Sequence, residues 1–205
     1  MAEIKGYAGA FYVTSDVTST SDVTNEAVGT GTGLVSSFDL DNENVDPDTL
    51  SVTVAAVAQQ WGQDYNMTPK GALSFTTVVA SDAAIVASYT YWKGAFIEAG
   101  GFHAWSVDVS CDPLETTNFS STGWREYIGG LKSWTGSAER HWINNLQALA
   151  GKKAVVRFYY DETNSDYLTG WANITGISTT AAVETLVEES LSFQGTLLIE
   201  DADVL

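Results

Sequence analysis

The chain has 205 residues with 26 acidic and 9 basic side chains, a formal net charge of −17, and a surface so acidic excludes ordinary nucleic-acid binding, which needs clustered Lys and Arg. A chain of this length buries roughly 70% of its unfolded surface and folds without disulfides or metal, and its lone cysteine, Cys111, excludes an intrachain disulfide and reads as a small hydrophobe. No apolar run approaches the ~20 residues of a membrane helix.

The first residues, Met1-Ala2-Glu3-Ile4-Lys5-Gly6, carry an early acid and no apolar stretch. They predict no secretion signal and a soluble chain made inside the cell. Gly6-Tyr7-Ala8-Gly9-Ala10-Phe11 shares a Gly-Ala-Phe core with Lys93-Gly94-Ala95-Phe96. Between them, residues 18–91 are poor in bases and rich in Thr, Val, Ala and Asp. They read as about six short strands, with turns at Gly29-Thr30-Gly31-Thr32-Gly33, Asp46-Pro47-Asp48 and Pro69-Lys70-Gly71. Leu50, Val52 and Val54 alternate with Ser51 and Thr53, and Ile85, Ala87, Tyr89 and Tyr91 form a longer apolar stripe.

Trp105, Val107 and Val109 alternate with Ser106, Asp108 and Ser110 in the next strand. The stretch Asp112 to Gly130 then reads as a long loop rich in Thr, Ser and Gly, with apolar anchors at Leu114, Phe119, Trp124 and Ile128. Loops of this length are usually functional or disordered. One short α-helix is expected around Leu146 and Leu149, capped by Asn144 or Asn145 and closed by Gly151. Val156, Phe158 and Tyr160, and then Leu191 and Phe193, mark the last strands. Such one-face alternation predicts antiparallel sheets, so the fold class is all-β: a sandwich or barrel-like domain formed by residues 1–17 and 92–205, interrupted by a small inserted β module at 18–91.

Charge divides along the same lines. No Lys or Arg stands between Tyr7 and Pro69 or after Arg157, and each of these stretches holds nine acids. Seven of the nine bases lie between Lys93 and Arg157. Solubility or adaptation to salt accounts for acidity of this kind as readily as any specific role.

Motifs of catalysis are missing. There is no G-x-S-x-G, HExxH, Walker loop or CxxC. His103, His141 and Cys111 offer few ligands for a His/Cys metal cluster, and both histidines read as structural or surface residues. The acidic run Asp39, Asp41, Glu43, Asn44, Asp46, Asp48 has Asn44 and Leu50 where a calcium-binding EF-hand needs Gly and Glu, so it reads as a solvated loop, with loose Ca²⁺ binding left open. Carboxylate pairs are too abundant to single out a hydrolase. No cofactor and no enzymatic activity are expected.

One resemblance runs through the second part. Trp105-Ser-Val-Asp-Val-Ser-Cys-Asp112, Thr116-Thr117-Asn118-Phe119, Gly123-Trp124-Arg125-Glu126-Tyr127-Ile128 and Gly130-Leu131-Lys132-Ser133-Trp134-Thr135-Gly136-Ser137 occur in order. They are followed by Val155-Val156-Arg157-Phe158, Tyr167-Leu168-Thr169-Gly170-Trp171-Ala172-Asn173-Ile174 and Ser192-Phe193-Gln194-Gly195. This succession resembles the tail tube (major tail) proteins of long-tailed bacteriophages. Residues 18–91 resemble a small β module that recurs in phage structural proteins.

The resemblance implies a virion protein, assembled in the host cytoplasm, that forms stacked, hexameric rings around a hollow lumen. Viral DNA would pass through that lumen without specific binding. The partners implied are other copies of the chain, a tape measure protein, a tail terminator and baseplate proteins, with no membrane. The segment holding Asp112, Leu114, Glu115, Phe119, Trp124, Arg125, Glu126 and Ile128 would contact the next ring, and the inserted module would face outward. The rival readings are a monomeric β-sandwich that binds carbohydrate or acts as an adhesin, and another ring-forming tail component such as a terminator.

Overall fold

The computed structural model describes residues 9–14, 19–93, 96–98, 102–142, 146–162, 164–182 and 186–201, with only the backbone described at 96–98. The architecture is all-β, as the alternation predicts. Fourteen strands follow one another: β1 (Ala10–Thr14), β2 (Thr20–Thr30), β3 (Ser37–Asp39), β4 (Ser51–Val54), β5 (Val57–Ala58), β6 (Tyr65–Met67), β7 (Ala72–Phe75), β8 (Ala84–Trp92), β9 (Phe96–Glu98), β10 (Phe102–Glu115), β11 (Tyr127–His141), β12 (Lys153–Asp161), β13 (Asp166–Thr180) and β14 (Glu188–Asp201).

They form three sheets. The largest has the order β10-β11-β14-β13-β12-β1-β9, every neighbouring pair antiparallel. A four-stranded sheet, β2-β8-β4-β5, and a three-stranded sheet, β3-β7-β6, draw all their strands from residues 20–92. The Gly-Ala-Phe correspondence falls partly outside the described residues. Its two flanking segments nevertheless become neighbours, because β1 and β9 pair with Tyr12 opposite Glu98 and Thr14 opposite Phe96. The chain thus leaves and re-enters the large sheet at one edge.

The large sheet curls. Phe11 on β1 and Phe102 on β10 stand five strands apart in the sheet order, about 24 Å if the sheet were flat, yet their ring centroids are 4.8 Å apart. Phe158 and Phe193 join them, with Trp105 and Trp134 against Phe158. Val13, Ala138, Ala154, Val156, Ala172, Ile174 and Leu191 complete this inner core. Behind it, Arg140 on β11 and Glu189 on β14 form a buried cross-strand ion pair, Nε donating to Oε2 at 2.6 Å. Removing one partner of such a pair strands a buried charge, which typically costs about 3–5 kcal/mol.

The centre of β12 and β13 is buried on both faces. Ala154, Val156 and Phe158 point into the curl, whereas Val155 and Trp171 point out of it into a second core made with the two smaller sheets. There they meet Val45, Val52, Tyr65, Met67, Leu73, Phe75, Ile85, Ala87, Tyr89 and Trp92. The indole of Trp171 packs edge-on to Trp61 at 6.3 Å, and its Nε1–H donates to the Val45 carbonyl at 3.0 Å. Burial in this core pushes the Tyr65 hydroxyl up to about 12.

Polar contacts rim the same seam. The acidic run, read from sequence as a solvated loop, is partly spent here: Glu43 pairs with Arg157 at 2.7 Å, and Asp46 and Asp48 pair with Lys153. Burial acts to lower the Lys153 pKa, but the two carboxylates outweigh it and hold the ammonium above its ordinary value. Asp41 uses its backbone N–H on Glu26 Oε1 at 2.8 Å. The run does not converge on a calcium-like cage among the described residues.

The expected α-helix is not formed among the described residues. Asn144 and Asn145 lie outside the described residues, and the segment that follows makes a single 3-10 turn over Gln147–Leu149, with no side-chain cap. Ala150 returns to an extended conformation, and Gly151, at φ +77°, bonds its N–H to the Ile174 carbonyl instead of closing a helix. Two leucines over so short a span give too little apolar face to repay helix nucleation against a neighbouring strand.

Two stability outcomes follow. Trp171→Phe, which orphans the buried Val45 carbonyl, should lower stability by about 1–3 kcal/mol in urea denaturation. Glu200 sits in a partly buried position on β14, and burial raises its pKa despite nearby Lys70. A carboxyl with a raised folded-state pKa favours the native state at low pH and loses that contribution as pH rises through the folded value. Glu200→Gln should therefore raise the unfolding midpoint at pH 7, with the gain vanishing below about pH 4.

Candidate functional site

The most exposed apolar surface belongs to one hairpin. β11 pairs with β14 only from Thr135 to His141, whereas it pairs with β10 along its whole length. Beyond Thr135 the hairpin therefore leaves the sheet, and Val109–Glu115 and Tyr127–Trp134 pair only with each other. This two-stranded ribbon has almost no buried residue: Asp108 through Glu115 are all exposed. Isolated two-stranded ribbons are marginal in water, needing a third strand or a packed face.

The stretch expected as one loop from Asp112 to Gly130 is thus shorter, because strand structure runs to Glu115 and resumes at Tyr127. Val-rich alternation ends at Val109, so the sequence signal for β10 stopped early. Backbone pairing carries the strand on through Cys111, Pro113 and Leu114, which break that pattern. The register slips between Cys111 and Pro113, and Asp112 lies in this irregularity. Pro113 is tolerated because β10 is an edge strand, whose outer groups need no sheet partner. Cys111 is an exposed thiol here, not a packed one.

Leu114 and Ile128 are direct cross-strand partners, as are Glu115 and Tyr127. The loop at 116–126 is held by its own bonds: Thr116 N–H donates to the Glu126 carbonyl at 2.8 Å, and Glu126 N–H to Thr117 Oγ1 at 3.0 Å. Asn118 Oδ1 accepts from Ser120 N–H at 2.9 Å, and Gly123 turns at φ +88°. The loop is consequently a shaped display of Phe119, Trp124 and Arg125, all exposed, with Trp124 80% accessible. Sequence reasoning singled out Asp112, Leu114, Glu115, Phe119, Trp124, Arg125, Glu126 and Ile128, and all of them lie on this ribbon and its loop. It missed Val109, Tyr127 and Leu131, the last 84% exposed. Leu131 in Gly-Leu-Lys was legible as an apolar residue between polar neighbours, but nothing local showed that its strand leaves the sheet.

An open groove of about 450 Å³ lies where the ribbon departs, lined by Val109, Lys132, Trp134, Leu197, Leu198 and Ile199. Its floor is the buried Trp134 indole. That ring sits flat on Gly195, where an added Cβ would fall 2.1 Å from Cε2. β14 bulges beside it: Gly170 pairs with Ile199 but Trp171 with Thr196, so Leu197 and Leu198 bow outward, Leu197 at φ +64°. Bulges re-aim side chains at sheet edges and sites.

No protein-family model matches the chain, and no curated protein matches it. Among solved structures, a chain from the tail of an empty gene transfer agent particle, refined helically with C6 symmetry, is 17% identical with a TM-score of 0.47. The similarity covers 54% of the present chain and 88% of that one. A chain from the virion of a native gene transfer agent particle is 16% identical with a TM-score of 0.44, covering 52% and 88%. Likeness at this level carries no argument about function, which has to come from the ribbon itself.

Because Trp124 touches no core, Trp124→Ala should leave the stability of the isolated chain within about 0.5 kcal/mol. A coincident pair of urea transitions for the two proteins checks this.

Proposed function

We propose that this chain is a structural subunit of a phage-type tail, working as a polymer of stacked, hexameric rings around a hollow tube. The observation that carries the reading is the ribbon: a projecting hairpin without a core of its own, ending in exposed aromatic and aliphatic side chains. Burial of apolar area stabilises association at about 25 cal/mol per Å², and a second copy would supply the surface the ribbon lacks. The groove over Trp134, at the base of the ribbon and away from its loop, offers an apolar receptor on the same molecule. A patch and a receptor on different parts of one surface make a head-to-tail contact; one such interface that closes makes a ring within a layer, and a second one left open between layers stacks the rings. Among the described residues β10 and β9 are the outer strands of the large sheet, and of these β10 carries the ribbon toward a neighbouring copy.

On this reading residues 18–91 form an inserted module carried on the outside, since a folded insert on the inner wall would obstruct the lumen. The excess of acids would keep DNA from adhering to a narrow channel, where charges lie within the roughly 10 Å screening length of 0.1 M salt. A tape measure protein, a terminator and a baseplate would be its partners, and the virion tail its location.

The test is negative-stain electron microscopy of the concentrated protein, paired with mass determination by size-exclusion chromatography. The expected result is hollow stacked rings, abolished or strongly reduced by Trp124→Ala and by Arg125→Glu. Unimpaired tubes from both variants would remove the ribbon from the stacking contact. A strict monomer that binds glycans, losing that binding with Trp124→Ala, would replace the tube reading with the carbohydrate-binding one.

A further inference from the structure

At the base of the same hairpin, remote from its apolar loop, two histidines far apart in sequence meet. His103 occupies the irregularity in β10 where the register slips between Phe102 and Ala104. His141 is the last residue of β11, and its cross-strand partner is Glu188, the first residue of β14. Directly opposed residues in an antiparallel pair share one face of the sheet, so the carboxylate and the imidazole project together. The two imidazole centroids are 4.7 Å apart and tilted by 38°. One nitrogen from each ring and one Glu188 oxygen all lie within 4.8 Å of one another.

No hydrogen bond joins the three among the described residues, and the buried Nδ1 of His141 has no partner there. A buried ring nitrogen without a partner is uncommon and calls for one. The polar atoms are spaced too widely to satisfy one another directly, yet closely enough to share an ion. Around tetrahedral zinc, with bonds of about 2.0–2.1 Å, ligand atoms stand roughly 3.3 Å apart. Closing the present separation requires no more than about 1.5 Å of movement, within reach of side-chain rotation on His103 and Glu188, both exposed.

We propose that His103, His141 and Glu188 bind one divalent transition-metal ion of the zinc class. Two imidazoles and a carboxylate suit Zn²⁺, Co²⁺, Ni²⁺ or Cu²⁺, while Mg²⁺ and Ca²⁺ take oxygen ligands. Three protein ligands leave a further coordination position for water. The ion ties together three adjacent strands, β10, β11 and β14, at the end from which the projecting ribbon is anchored. Arg140 presents no bare charge to it: its guanidinium is matched by Glu189 in the adjoining register pair. The site stands whether or not the chain forms tubes.

The experiment is calorimetric titration of the full-length chain with Zn²⁺ alone as ligand, in buffer carrying a large excess of Mg²⁺ to occupy the diffuse acidic surface. The expected result is saturable binding of one ion per chain, weakened at least tenfold by His103→Ala and by His141→Ala and severalfold by Glu188→Gln. Zn²⁺ should also raise the unfolding midpoint of the wild-type chain and not that of His103→Ala. Because His103 is exposed, that variant keeps the fold, and its circular dichroism spectrum checks this even should His141→Ala unfold. Absence of saturable binding, or binding that His103→Ala leaves unchanged, would overturn the site and assign any zinc uptake to the acidic surface.

Discussion

The structure turns on the indole of Trp171. It is the largest fully buried side chain in the described structure, and it stands where β12 and β13 have a core on each side. On the inner side, its neighbours on β13 seal the aromatic cluster around Phe11 and Phe158. On the outer side, the indole itself enters the core of the smaller sheets and fixes their backbone through Val45. Without the smaller sheets, Val155 and Trp171 would leave a large apolar area on the outer wall of the curled sheet. The ion pairs of Lys153 and Arg157 only rim this seam, where water screens them and each contributes modestly. Packing holds the two parts together, and the ion pairs only border it.

Much of this was legible in the sequence. Period-2 alternation identified β4, β8, the first half of β10, β12 and β14, because each has one face against a core. The two smaller sheets draw their strands from residues 20–92, a stretch poor in bases. What stayed hidden depended on neighbours distant in the chain. Trp171 reads as one more inward residue until the opposite sheet is in place. Asp46 and Asp48 read as solvated until Lys153, more than a hundred residues later, is brought beside them. His103 and His141 have no ligand-like spacing, since strand register, and not a local turn, brings them together. The expected helix failed for the converse reason: a local apolar pair was given more weight than the strand beside it.

The hairpin β10–β11 brings different demands onto one element. Where it is part of the sheet, it buries Trp134 and Ala138 and carries Arg140. Past Trp134 it has only its own hydrogen bonds, and its side chains face water on both sides. Asp108, Asp112 and Pro113 on the outer edge discourage indiscriminate strand addition, while the Leu114–Ile128 pair and the loop aromatics stay exposed at its end.

The pairing of β1 with β12 has a consequence for how the chain is made. Ala10 lies opposite Tyr159, so on a ribosome adding about 5–20 residues per second the first strand waits roughly 7–30 s for its partner. The strands β2 to β8 pair only among themselves and are complete when Trp92 emerges. They can gather first, leaving their Trp171 socket open as a template. The large sheet can be completed only after β12, β13 and β14 have been made, with β1 already waiting among the earlier strands.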